Sequence, residues 1–217
     1  MTFNKVLIFD FDGTLVNSNV IKSRIFHQVF PELSIEEIDA FSSSTIGNRY
    51  EIIKNLDKKI YNIDRVYSLA DRIELFDTIA QYAVGLASEI PGVSNFLALA
   101  HKKNIPMFIS SATPENHIID LIHKRGWSKY FVKILGSPSS KVSHIKYIQK
   151  RVSEMTEIQQ GSIETVYIGD ARQDLDASIK ANIKFTGVFI DGHIPEWASE
   201  SPHAIDFKNM WNILEIR

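Results

Sequence analysis

Val6-Leu7-Ile8-Phe9 runs without a polar residue straight into Asp10, Phe11, Asp12 and Gly13. An apolar run this close to the start of the chain reads as a strand buried on both faces, the kind found in parallel sheets covered by helices. Such sheets place their ligands at the carboxyl ends of their strands, where these two acids fall. Carboxylates held two positions apart repel unless a cation or a shared proton relieves them. A divalent metal is the economical explanation, and hard oxygen ligands suit Mg2+. Gly13 lets the chain turn sharply after the pair. A calcium loop beginning D-x-D-G would close with a Glu six residues after its glycine. That position is Asn19, and the upstream run is strand-like.

Three later segments answer to the first. Ile105–Pro114 is a second apolar run, ending in Ser110, Ser111, Ala112 and Thr113. Thr113 followed by Pro114 reads as a helix N-cap with proline at the first helical position. A serine at a strand end facing a helix N-terminus is a ready anion site, while plain capping is the bland alternative. Ile134–Lys141 is a short strand, a Gly/Ser/Pro loop, and a lysine that opens the next helix. The helix macrodipole disfavours a cation there, so Lys141 suggests an anion nearby. Val166-Tyr167-Ile168-Gly169-Asp170 is a fourth strand, with Asp174 four residues beyond its acid. In the first turn of a helix over about Gln173–Ala181, Asp174 and Asp170 can face a common point.

Acid pair, hydroxyl, lysine and second acid pair, in that order at successive strand ends, resemble the haloacid dehalogenase superfamily. The D-x-D-G-T-L, S-A-T-P, G-S-P-S-S-K and G-D-x-x-x-D segments match its four motifs and span positions 10–174. Ala171 stands where many relatives carry Ser or Thr. The resemblance implies an α/β fold: a Rossmann-like core with a parallel sheet of about five strands flanked by helices, plus an inserted α-helical cap. It also implies a Mg2+-dependent phosphatase that hydrolyses a small phosphorylated metabolite through an aspartyl-phosphate. Asp10 would be the nucleophile and Asp12 the general acid and base. Ser111 (or Ser110, in a less favoured register) and the Ala112 amide would bind the phosphate with Lys141. Asp10, the Asp12 carbonyl, Asp170 and Asp174 would serve the metal, Asp174 through a bound water or by holding Lys141.

Within this resemblance Asp12 separates reaction classes, because dehalogenases lack an acid there. A sugar phosphomutase commonly carries a histidine twelve positions after the nucleophile, and this chain has Lys22. The mutase and a non-catalytic binding module that kept the fold are the alternatives.

From Asn17 to about Ala87 helical spacing replaces strand runs, so the core is expected over 1–16 and 88–217 and the cap over 17–87. Ile21, Ile25 and Val29 share a helix face, as do Val66, Leu69, Ile73, Phe76 and Ala80. These stripes read as packing. Ser34 to Glu37 fits a capping box. The loop Thr45–Arg49 resembles a specificity loop, with Asn48 and Arg49 as candidates and Arg49 able to grip a carboxylate or second phosphate. Small and turn-forming residues at both crossings into the cap suggest a hinge. His27, His101, His117, His123 and His144 show no metal-ligand spacing and are expected at the surface.

The net charge is −2 with no basic run, which argues against a nucleic-acid partner. There is no cysteine, so disulfides, thiol nucleophiles and Cys-ligated zinc are excluded. No apolar stretch approaches bilayer length. No membrane association, a cytoplasmic location and a monomer or weak homodimer are expected.

Overall fold

The structure is a computed structural model that describes residues 3–44, 49–60, 66–156 and 163–216. In chain order the elements are β1 (Lys5–Phe9), α1 (Asn19–Val29), α2 (Ile35–Ser44), α3 (Arg49–Lys59), α4 (Leu69–Leu86), α5 (Val93–Lys102), β2 (Met107–Pro114), α6 (Glu115–Lys124), β3 (Lys133–Ser137), α7 (Lys141–Thr156), β4 (Glu164–Gly169), α8 (Arg172–Lys180), β5 (Lys184–Val188), β6 (His203–Ala204) and α9 (Met210–Ile213). They form two compact units. One holds the chain up to Asn17 and from Ser88 onward; the other is Ser18–Ala87.

The first unit is a six-stranded sheet in the order β3-β2-β1-β4-β5-β6, and every pairing is parallel. β1 is continuously apolar because both its faces are covered. Val6 and Ile8 pack with Tyr167, Phe108, Ile145 and Ile148 on the α7 side. Phe9 points the other way, its ring 6.1 Å from Phe96, 6.2 Å from Phe131 and 6.3 Å from Phe207. This alternation is the two-residue period of a strand. The sheet has one more strand than expected. The extra strand, β6, is two residues long, too short to carry a periodic signal.

The chain runs outward from β1 to β2 to β3, then returns past β1 to β4. Strand order therefore reverses between β1 and β4, a crevice where such sheets bind ligands. The segments by which the chain leaves and re-enters this unit are bonded to each other. Asn17 N–H donates to Ser88 O at 2.9 Å and Ile90 N–H to Leu15 O at 3.0 Å.

The second unit is helical, packing α1 against α4 and α2 and α3 against α4. Phe26 and Phe76 meet with ring centroids 4.7 Å apart, among Ile25, Val29, Phe30, Ile38, Ile53 and Leu56. Ser34 and Glu37 form the expected capping box, with Ser34 N–H donating to Glu37 Oε2 at 2.9 Å and Glu37 N–H to Ser34 Oγ at 3.2 Å. A second box, Ser68 with Asp71, starts α4. The α4 stripe differs from expectation. Val66 lies before the helix and is exposed, and the buried face is Arg72, Phe76, Ala80 and Val84. Arg72 is wholly buried because its charge is met inside: Nη2 is 2.6 Å from Glu32 Oε1 and Nε 3.3 Å from Asp57 Oδ1, with the guanidinium 4.5 Å above the Phe30 ring. Among the described residues no helix is long and apolar enough to cross a membrane.

Candidate active site

The carboxyl ends of β1, β2 and β4 and the start of α7 supply the site. Past β1 the chain folds back at once: Leu15 and Val16 N–H both donate to Phe11 O, and Gly13 N–H donates to Val16 O at 2.8 Å. Gly13 adopts φ 75°, a conformation side chains disfavour. This turn sets Asp10 and Asp12 side by side, both largely buried. It also aims Thr14, whose Oγ1 donates to Asp170 Oδ1 at 2.9 Å across the crevice.

At the β4 end Asp174, in the first turn of α8, folds back so that its Oδ2 accepts from Ala171 N–H at 3.1 Å. This is the reciprocal half of a capping box; Ala171 has no side-chain oxygen to supply the other half. A Cβ on Gly169 would lie 2.5 Å from Asp174 Cγ, so only glycine admits that carboxylate. Oxygens of Asp10, Asp170 and Asp174 lie within 4.8 Å of one another.

Lys141 opens α7, where the macrodipole disfavours it, and two carboxylates offset that. Its Nζ is 3.0 Å from Asp10 Oδ2 and 2.5 Å from Asp174 Oδ1, and 5.9 Å from the Tyr167 ring centre. Burial alone would lower its pKa, but Asp10 and Asp174 outweigh burial and hold the ammonium charged well above the usual lysine range. Burial pushes Asp10 up to about 7; Lys141 opposes this, while Asp174, Asp170 and Asp12 add to it. Asp10 Oδ1 is buried with no hydrogen-bond partner among the described residues. An acidic cluster short of positive charge, with an unpartnered carboxylate oxygen inside it, fits a hard divalent cation. The Asp12 carboxylate stands outside the cluster. Its Oδ2 accepts from Thr113 Oγ1 at 3.0 Å.

The β2 end differs from expectation. Thr113 is not a helix cap: it remains in the strand, and the residue preceding α6 is Pro114. The Thr113 hydroxyl donates to Asp12 instead, and Pro114 supplies no side-chain cap to α6. Ser111 is buried, its Oγ accepting from Thr113 N–H at 3.0 Å, and Ala112 is exposed. Ser110 is engaged elsewhere. Its Oγ is 3.0 Å from His144 Nδ1, and its carbonyl accepts from Tyr167 OH at 2.7 Å.

His144 is not a surface residue. It is buried, with Nε2 3.1 Å from Gly136 O, and burial lowers its pKa. Its ring ties α7 to the ends of β2 and β3, through Ser110 and Gly136. It lies three positions after Lys141 on α7, and that spacing was the available signal.

In the helical unit Arg49 begins α3. Its Nη1 donates to Asp77 Oδ1 at 3.1 Å, and Tyr50 OH donates to Asp77 Oδ2 at 2.9 Å. Asn48, with the rest of the segment 45–48, lies outside the described residues, as does the side chain of Lys22.

Fold and site together are those of a doubly wound α/β enzyme with an acidic cluster at the switch point of a parallel sheet. The profile of the haloacid dehalogenase-like hydrolases matches residues 7–188, and the chain belongs to this family. It is 28% identical over 191 residues to the phosphoglycolate phosphatase of Photobacterium profundum, covering 85% of this chain and 82% of that protein. Its fold is similar to that of CbbY from Rhodobacter sphaeroides in complex with phosphate, with TM-score 0.70, 16% identity, and 99% of this chain and 100% of that one covered. It is also similar to YfnB from Bacillus subtilis bound to magnesium, with TM-score 0.70, 15% identity, and 99% and 100% covered.

Proposed function

We propose that the chain is a Mg2+-dependent phosphatase that hydrolyses a small phosphorylated metabolite through an aspartyl-phosphate. The observation that carries this is Asp10: a buried carboxylate with one oxygen on Lys141 and the other without a hydrogen-bond partner among the described residues. In this reading Asp10 attacks phosphorus, forming an O–P bond as the ester P–O bond breaks. Asp12 gives its proton to the departing oxygen, then takes one from the water that attacks the aspartyl-phosphate. That second attack releases inorganic phosphate and frees Asp10. Ser111 Oγ–H and the Ala112 N–H donate to phosphoryl oxygens. Lys141 neutralises charge between Asp10 and the phosphate. Asp10, Asp170 and Asp174, with the Asp12 carbonyl, would hold Mg2+. When bound, the ion supplies charge neutralisation at the nucleophile and the phosphoryl oxygens.

Similarity to a phosphoglycolate phosphatase supports a small alkyl phosphate as substrate. The core site supports the chemistry, and substrate choice would lie with the helical unit, where Arg49 and Asn48 are the candidates. The test is turnover of p-nitrophenyl phosphate and of a phosphorylated-metabolite panel with Mg2+ and with excess EDTA. Turnover is expected only with the metal. Undiminished turnover in EDTA would overturn the mechanism.

A further inference from the structure

Ser111 and Ala112 have parts in the proposed chemistry, but Thr113 does not, although its side chain is bonded to Asp12. Thr113 is buried, and its Oγ1 donates to Asp12 Oδ2 at 3.0 Å. Its backbone is held on two sides. Its N–H donates to Ser111 Oγ, and its carbonyl presses so closely on β3 that a Cβ on Gly136 would come within 2.6 Å of it. The β2–β3 register shifts between Ser110 and Pro114, an irregularity of the kind that re-aims a side chain. A backbone fixed this way presents the hydroxyl to Asp12 from a constant position.

We propose that Thr113 is the positioning residue for the acid–base carboxylate. Its hydroxyl fixes the Asp12 rotamer and assigns the transferable proton to Oδ1. The inference rests on the phosphatase reading. In the first step the Asp12 Oδ1–H bond breaks, the proton goes to the departing ester oxygen, and the electron pair stays on the carboxylate. Oδ2 meanwhile keeps its hydrogen bond from Thr113. That bond strengthens as its acceptor becomes charged, so it favours the transfer as well as aiming it. In the second step Oδ1 takes a proton from the attacking water, and Thr113 holds the same geometry.

The proposal separates substrates by their leaving groups. An alkoxide needs the proton that Asp12 delivers, whereas nitrophenolate departs without it. The quantity to read is kcat/KM, because it reports steps only through departure of the first product. For Thr113→Val, kcat/KM should fall ~10- to 100-fold, less than the ~10²- to 10⁴-fold that general acid catalysis as a whole contributes, on an alkyl phosphate that the wild type turns over. On p-nitrophenyl phosphate it should fall no more than about threefold. Thr113→Ser, which keeps the hydroxyl, should restore the alkyl rate to within about threefold. An equal loss on both substrates, no loss on the alkyl ester, or a Thr113→Ser variant as impaired as Thr113→Val would each overturn the assignment. A wild-type chain that turns over neither substrate overturns the phosphatase reading itself.

Discussion

The carboxylate proposed as nucleophile has to be charged, yet Asp10 is buried among three other acids. Burial first, and those acids next, push its pKa from an ordinary 3.8 to about 7. Between these values the metal-free folded protein still holds a proton that the unfolded chain has lost. The stability Asp10 contributes is therefore fully present below pH 3.8 and lost as pH rises through 7. Asp10→Asn removes that loss together with the proposed nucleophile. In EDTA its melting temperature should match wild type near pH 4 and exceed it increasingly toward pH 8, while turnover is abolished. Melting curves that stay parallel across this range would show that the burial cost of the charge is met in some other way. Lys141 was legible as a site residue because it is wrong for its helix position. Thr113 was not, because next to a proline it reads as a cap and its partner is 101 residues away. His144 was missed because its one local sign, a place three positions after Lys141 on the same helix, does not by itself mark burial.

At the scale of elements the strands were readable wherever burial on both faces made them continuously apolar. The helices were readable from stripes and caps, as Ser34 and Glu37 illustrate. A charged residue on the apolar stripe defeats such reading. Arg72 lies on the buried face of α4, and its partners Glu32 and Asp57 come from the α1–α2 connection and from α3. Nothing local marks them as a set. The pairing joins three parts of the helical unit, and breaking it strands two carboxylates. Arg72→Ala should cost about 3–5 kcal/mol, the range for removing one partner of a buried ion pair, read as a lowered denaturant midpoint. A loss below about 1 kcal/mol would mean that the carboxylates reach water in the variant.

For the whole molecule, the two backbone connections at Asn17–Ser88 and Leu15–Ile90 have a consequence for modularity. The seventy residues between them, Ser18–Ala87, enter and leave at neighbouring points, so the insertion is topologically a long hairpin loop with its stem already closed. A stem of this kind can be bridged by a two-residue turn such as Asn-Gly. Joining Asn17 to Ser88 through that turn should give a minimal chain that folds on its own around the parallel sheet, detected as a cooperative melt. It should still bind Mg2+ through Asp10, Asp170 and Asp174, seen as a metal-dependent rise in its melting temperature. A non-cooperative melt would show that the sheet depends on its insertion. If the short chain folds, the helical unit is an exchangeable part, and one catalytic core can be refitted for a different substrate by replacing a single contiguous stretch of gene.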